Sequence, residues 1–189
     1  MMKAIIVHRW DGSHSSDWYP WLKKELEKNN VSVEVPAMPN AAEPKINAWV
    51  SQLKRSIGIT DDELVLIGHS IGCQTIMRYL AESPSVNVKR VIFVAGWFAL
   101  ENLENEEVKA IAKPWLTEPI GFKKIKEKTR NITVFLSTND PYGCVKENKR
   151  LFEEKLNAKV IIEENKGHFL AEDGITEVPE VLNEVLECT

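Results

Sequence analysis

Two periodicities alternate along the chain. Mostly apolar runs at 4–8, 64–67, 91–95, 132–136 and 159–162 predict strands. Between them, apolar residues recur at three- and four-residue spacing, as on the buried stripe of a helix. Such stripes are Trp18, Trp21, Leu22 and Leu26; Ile46, Trp49, Val50, Leu53 and Ile57; and Cys73, Ile76, Met77 and Leu80. Two more run through Leu151, Phe152 and Leu156, and through Val178, Val181, Leu182, Val185 and Leu186. Pro20 and Pro179 fall in first turns, where a missing N–H costs nothing, while Gly58 and Ser83-Pro84 mark helix ends. Val31, Val33 and Val35 alternate with Ser32 and Glu34, the pattern of a half-buried strand at a sheet edge. The runs at 64–67 and 91–95 are apolar throughout, as central parallel strands are. Six strands alternating with helices predict a three-layer α/β/α sandwich with a mainly parallel sheet. With the second strand at one edge and the sixth at the other, the order is 2-1-3-4-5-6. The crossover at 96–130 carries a short helix around 106–112 and the scattered bulky residues Trp97, Phe98, Trp115 and Phe122. It is too short for a cap domain.

The chain's 189 residues fit a single domain spanning 1–189, large enough for a core without metal or disulfide support. Its 24 basic and 28 acidic residues leave a formal charge of -4 without long blocks of either sign, which argues against a nucleic-acid partner. Cys73, Cys144 and Cys188 form no Cys-x-x-Cys pair, so neither a disulfide framework nor a zinc site is expected, and a reducing cytoplasm is the natural setting. The apolar start at 4–7 is too brief for a signal peptide. The longest apolar stretch, 91–100, is about half of what spans a bilayer. No Gly-x-Gly-x-x-Gly follows the first strand, so a dinucleotide cofactor is not expected.

Chemistry concentrates where strands end. Gly68-His69-Ser70-Ile71-Gly72 follows the third strand and opens a helix, the setting of a nucleophile elbow. The helix N-terminus favours negative charge there. Asp140, in Ser137-Thr138-Asn139-Asp140-Pro141, follows the fifth strand, and His168, between Gly167 and Phe169, follows the sixth. Parallel sheets collect ligands at their carboxyl ends, and the order Ser, Asp, His is that of α/β-hydrolases. Singly, each residue has a plainer reading: Ser70 as a helix cap, Asp140 as a turn former, His168 as a surface loop residue. Other candidates fit less well. His8 belongs to the strand-one exit, His14 to a loop and His69 to the elbow, Asp173 lies too near His168, and Asp61 and Asp62 precede the third strand. Acyl transfer also needs two donors for an oxyanion: the backbone N–H of Ile71, and one from the loop after the first strand, Trp10 or Arg9.

The chain resembles the small serine hydrolases of the retinoblastoma-binding-protein-nine type, within the α/β-hydrolase superfamily, over essentially its full length. The matching stretches are Trp18-Tyr19-Pro20-Trp21-Leu22-Lys23-Lys24-Glu25-Leu26, Met38-Pro39, the elbow at 68–72, Pro114-Trp115, Ser137-Thr138-Asn139-Asp140-Pro141-Tyr142 and Gly167-His168-Phe169. The resemblance implies a compact hydrolase without a large lid, with Ser70, Asp140 and His168 at the triad positions. Arg9 departs from the glycine that many superfamily members carry after the strand-one histidine. The expected activity is hydrolysis of a small carboxylic ester or similar acyl compound through an acyl-Ser70 intermediate, with no cofactor and no metal. Trp10, Trp97, Trp115 and Phe122 are candidates for the acyl pocket wall, although large aromatics are most often buried for packing. The rival expectation is a protein-binding module that keeps the fold and leaves the triad idle, since fold alone does not fix function.

Overall fold

A computed structural model describes residues 2–59, 63–83, 86 and 88–187. Expectations that fall on Asp61, Asp62, Pro84 and Cys188 lie outside these residues. In chain order the elements are β1 (Met2–Val7), α1 (Tyr19–Lys28), β2 (Ser32–Glu34), α2 (Ile46–Ile57), β3 (Glu63–His69), α3 (Ile71–Glu82) and β4 (Val88–Val94). There follow α4 (Glu106–Thr117), α5 (Phe122–Lys128), β5 (Ile132–Ser137), α6 (Val145–Leu156), β6 (Lys159–Glu163), a 3-10 turn at Ala171–Asp173 and α7 (Pro179–Leu186). The strands form one sheet in the order β2-β1-β3-β4-β5-β6, every neighbouring pair parallel.

Successive residues of the central strands face opposite layers, which is why these strands are apolar throughout 64–67 and 91–94. Ile5, Val7, Leu64, Leu66, Val91, Phe93 and Val134 pack with α2, α3 and α6. Ala4, Ile6, Val65, Ile67, Ile92, Val94 and Phe135 pack with α1 and α7 on the other face. The edge strand β2 has one apolar face to bury and buries only Val33, with Ser32 exposed. No helix among the described residues is long and apolar enough to cross a membrane.

Several element boundaries differ from the sequence expectation: β4, expected at 91–95, runs Val88–Val94, and β3, expected at 64–67, runs Glu63–His69. β1 begins at Met2 because Met2 and Lys3 pair with Glu63 and Leu64, and it ends before His8, whose ring turns to accept from Met38 N–H. α4 runs past 112 and through Pro114 to Thr117. The extension is held by Trp115, buried with its indole on Pro44 O at 3.0 Å, and by Arg78, which donates to Trp115 O at 2.8 Å and Glu118 O at 3.2 Å. These donors satisfy carbonyls that a helix end leaves open. α5 was not anticipated: Ile125 is its only buried residue, so its seven residues carry no readable stripe.

Candidate active site

Ser70 sits between β3 and α3 with φ 53° and ψ −118°, a backbone state that a non-glycine residue adopts only under constraint. The constraint is local: Ser70 N–H donates to Val94 O at 2.9 Å, and Ser70 O accepts from Cys73 N–H at 3.0 Å. The flanking glycines make the turn fit. A Cβ on Gly68 would lie 2.7 Å from Cys73 N, and one on Gly72 would overlap Val7 O. The start of α3 is thereby pressed against the end of β1.

The structure brings the three sequence-predicted residues together. Ser70 Oγ lies 2.8 Å from His168 Nε2, and His168 Nδ1 lies 2.8 Å from Asp140 Oδ2. The other Asp140 oxygen accepts from Tyr142 N–H at 3.0 Å, so the turn-forming reading of Asp140 holds alongside the hydrogen bond to the imidazole. The loops that carry Asp140 and His168 are laced together. Ser137 Oγ accepts from Lys166 N–H, Thr138 Oγ1 from Asn165 N–H, and Asn139 Oδ1 from Gly167 N–H, at 2.8, 3.1 and 2.8 Å. Asp173 accepts from His168 N–H at 2.8 Å and Leu170 N–H at 3.1 Å, so a carboxylate set aside as too close in sequence fixes the histidine's backbone. Tyr142 meets the His168 ring edge-on at 4.7 Å between centroids.

The loop after β1 is equally constrained. Arg9 N–H donates to Tyr19 Oη at 3.1 Å, Asp11 N–H to Ala41 O at 2.9 Å and Gly12 N–H to Arg9 O at 3.1 Å. Trp10 N–H has no acceptor among the described residues. Arg9 O also accepts from His8 Nδ1 at 2.7 Å, which fixes the plane of the peptide that carries Trp10 N–H. The Arg9 guanidinium pairs with Asp17 at 2.8 Å and donates to Trp10 O at 3.0 Å. Asp17 in turn accepts from Ala171 N–H at 2.9 Å, three residues beyond His168. Arg9 thus ties the strand-one loop to the histidine loop.

His69 makes a second tie. Its Nε2 donates to His168 O at 2.8 Å, which leaves Nδ1 to accept from Tyr19 Oη at 2.7 Å, the tautomer these partners require. Burial, reinforced by the charge of His168, lowers the His69 pKa from 6.5 to about 3. An unfolded chain would take up this proton near 6.5 and the folded one only near 3, so the unfolded state binds more protons between those values. Stability should therefore fall as the pH drops through this window, by about 1.4 kcal/mol per pH unit from this group. His69→Gln should remove that increment, measured as the slope of urea-unfolding free energy against pH from 6 to 4. Equal slopes for the two proteins would reject a neutral buried His69.

The aromatic candidates separate. Trp115 is core, edge-on to Trp49, and Phe122 packs on Phe98 beside Lys155. Trp10 is partly buried and donates to Ala42 O at 2.9 Å. Trp97 is buried and its Nε1 lies 3.3 Å from Ser70 Oγ. A cavity of only ≈ 10 Å³ adjoins Asp140 and His168, walled by Trp97, Leu100, Tyr142 and Val145. Among the described residues, no three His, Cys, Asp or Glu side chains group as metal ligands.

Sequence reasoning missed Tyr19, Asp173 and Asn148. Asn148 carried a signal, because it shares the stripe of Phe152 and Leu156 at four-residue spacing, and a polar group on a buried stripe needs a partner. The other two sit at positions where a core or surface role reads equally well.

Comparison with known proteins identifies the family and the fold. The family model described as serine hydrolase matches residues 4–187. The chain is 30% identical to the serine hydrolase RBBP9 of Rattus norvegicus over 170 residues, covering 88% of this chain and 87% of that one. It is 26% identical over 182 residues to YdeN of Bacillus subtilis, which bears a hydrolase name, covering 94% and 90% of the two chains. The crystal structure of the ydeN gene product superposes with a TM-score of 0.86 at 23% identity, covering 100% of this chain and 98% of that one. These likenesses concern one fold, that of α/β-hydrolases, and the chain is a member of the serine hydrolase family.

Proposed function

We propose that the protein hydrolyses small carboxylic esters, or similarly activated acyl compounds, through an acyl-Ser70 intermediate. The observation that carries this reading is the unbroken hydrogen-bond chain from Asp140 Oδ2 through the His168 ring to Ser70 Oγ, with 2.8 Å at each link. Ser70 Oγ attacks the acyl carbonyl as its proton passes to His168 Nε2, and the same proton then goes to the departing alkoxide. Asp140 holds Nδ1–H and so keeps Nε2 basic and aimed at the serine. Water repeats the sequence on the acyl-enzyme. The backbone N–H groups of Ile71 and Trp10 receive the oxyanion. Ile71 opens α3, so its N–H has no intrahelical acceptor, and Trp10 is favoured over Arg9 because Arg9 N–H already serves Tyr19. The reading uses no metal and no organic cofactor.

The ≈ 10 Å³ cavity beside the imidazole has room for little more than a water-sized group, which supports a short acyl chain. No observation among the described residues favours the rival reading of a protein-binding module with an idle triad. A fluorophosphonate probe should label the protein at Ser70, located by peptide mass analysis, and nitrophenyl acetate should be cleaved with a higher kcat/KM than the octanoate. A protein that takes up no label and cleaves neither ester would reject the proposal.

A further inference from the structure

We propose that Trp97 is a further catalytic residue: its indole N–H donates a hydrogen bond to the nucleophilic oxygen of Ser70 and stabilises the charge that gathers there. The inference rests on Ser70 being the nucleophile. In the resting site, Ser70 Oγ has its own proton directed at His168 Nε2, 2.8 Å away, and Trp97 Nε1 on another side at 3.3 Å. An indole N–H can only donate, so the serine oxygen is its acceptor. These two contacts fix the hydroxyl rotamer with the proton towards the base.

The loop that bears Trp97 is held far more firmly than packing requires. Ala95, at φ 48°, donates its N–H to Phe135 O at 2.9 Å. Trp97 O accepts from Gln74 Nε2 at 2.6 Å. Asn148 Oδ1 accepts from both Phe98 N–H and Ala99 N–H at 2.8 and 2.9 Å, and Asn148 Nδ2 donates to Ala99 O at 3.0 Å. Gln74 is 1% exposed and Asn148 4%, so two buried polar side chains from α3 and α6 are committed to the backbone of Trp97 and the two residues after it. The core tryptophans Trp115 and Trp49 spend their indole N–H groups on backbone carbonyls, Pro44 O and Pro39 O, whereas that of Trp97 is spent on the serine oxygen.

The chemistry gives the contact its value. As the Oγ–carbon bond forms, the carbonyl electron pair moves to the carbonyl oxygen and the hydroxyl proton moves to His168. Charge on Oγ rises before the bond is complete, and the indole contact, long against a neutral hydroxyl, tightens against a partial alkoxide. In deacylation the Oγ–carbon bond breaks, its electron pair returns to Oγ, and His168 returns the proton. The indole faces the same rise in charge in reverse and keeps its own proton throughout. Because the gain is larger in the transition state than in the ground state, it appears in kcat.

The test removes the N–H and keeps the shape: Trp97→3-benzothienylalanine, introduced at this one codon, puts sulfur in place of the indole nitrogen. Loss of one neutral hydrogen bond should lower kcat about tenfold, with KM and the melting temperature unchanged. A variant as fast as the parent overturns the inference. Should the variant not fold, the unsubstituted ring still decides. With ¹⁵N-labelled indoles, and the Trp97 signal identified by its absence in Trp97→Phe, the Nε1 proton should move upfield in Ser70→Ala, where the acceptor is gone. An unmoved signal overturns the inference. Normal turnover by Ser70→Ala would remove the nucleophile and this inference together. An inactive Ser70→Ala beside a fully active benzothienyl variant would remove only the role of Trp97.

Discussion

Ser70→Ala should lower kcat by about four to six orders of magnitude, to the residual rate that binding and oxyanion stabilisation supply alone. The size of the loss follows from how little else stands in the right place. Among the described residues, the Ser70 hydroxyl is the side-chain group hydrogen-bonded to His168 Nε2, and a general base without its nucleophile could act only on water. The fold should tolerate the change. Alanine is no larger than serine, and the strained turn at φ 53° is held by backbone bonds to Val94 and Cys73 rather than by the side chain. The melting temperature should therefore stay near that of the parent while turnover of nitrophenyl acetate and fluorophosphonate labelling both vanish. Retained turnover by a variant that folds normally would mean that another residue carries the chemistry.

Most of the fold was legible because the layers impose simple patterns. A strand segment covered on both faces is apolar at every position, as 64–67 of β3 and 91–94 of β4 are. A strand at an edge shows alternation, and β2 does. The strand order followed from reading Val31, Val33 and Val35 as an edge. The segment over the site was legible only in part, for a physical reason. α4 continues through Pro114 because Arg78, on a different helix, satisfies its last carbonyls, and Trp115 finds its acceptor at Pro44, 71 residues away in sequence. Long-range partners of this kind leave no mark in a local window. α5, with Ile125 as its buried anchor, falls below the length at which periodicity can be read.

At the site, the residues proposed to carry the chemistry were legible and those that hold them were not. Ser70, Asp140 and His168 each lie at a strand end, and composition at strand ends can be read directly. The supports are backbone-directed contacts: Asp173 on the His168 N–H, Tyr19 on the Arg9 N–H, Asn139 on the Gly167 N–H. Such contacts depend on where loops meet in space. Arg9 shows the same limit. In sequence it is a departure from glycine, whereas in the structure its guanidinium bridges Asp17 and Trp10 O, and so stabilises the loop that a glycine would leave freer. Burial opposes its charge and the Asp17 carboxylate more than offsets this, keeping the Arg9 pKa above its ordinary value.

Gly72→Ala should destabilise the fold strongly and should cost activity in whatever protein folds. The added methyl would overlap Val7 O and crowd Val7 C at 2.9 Å and His8 O at 3.0 Å. All three atoms are backbone, so no side chain can swing aside. Val7 is fixed by its place in β1 beside β3, and the helix is fixed by a layer of buried residues from Ile71 to Leu80. Relief requires α3 to lift from the sheet, a cost of about 3 kcal/mol or more, which for a chain of this size lowers the melting temperature by roughly 10 °C. Gly174→Ala is the control. It places a side chain at φ 81° with nothing within 4 Å of the new atom, so only backbone strain of about 1–2 kcal/mol is added. The two variants separate crowding from strain in a thermal melt. Lifting α3 would also widen the gap between Ile71 N–H and the Arg9–Trp10 loop, so kcat should fall further than stability alone explains. If Gly72→Ala melts and turns over like the parent, the close seat of α3 on β1 is dispensable, and the pairing of Ile71 with Trp10 as oxyanion donors loses its structural basis.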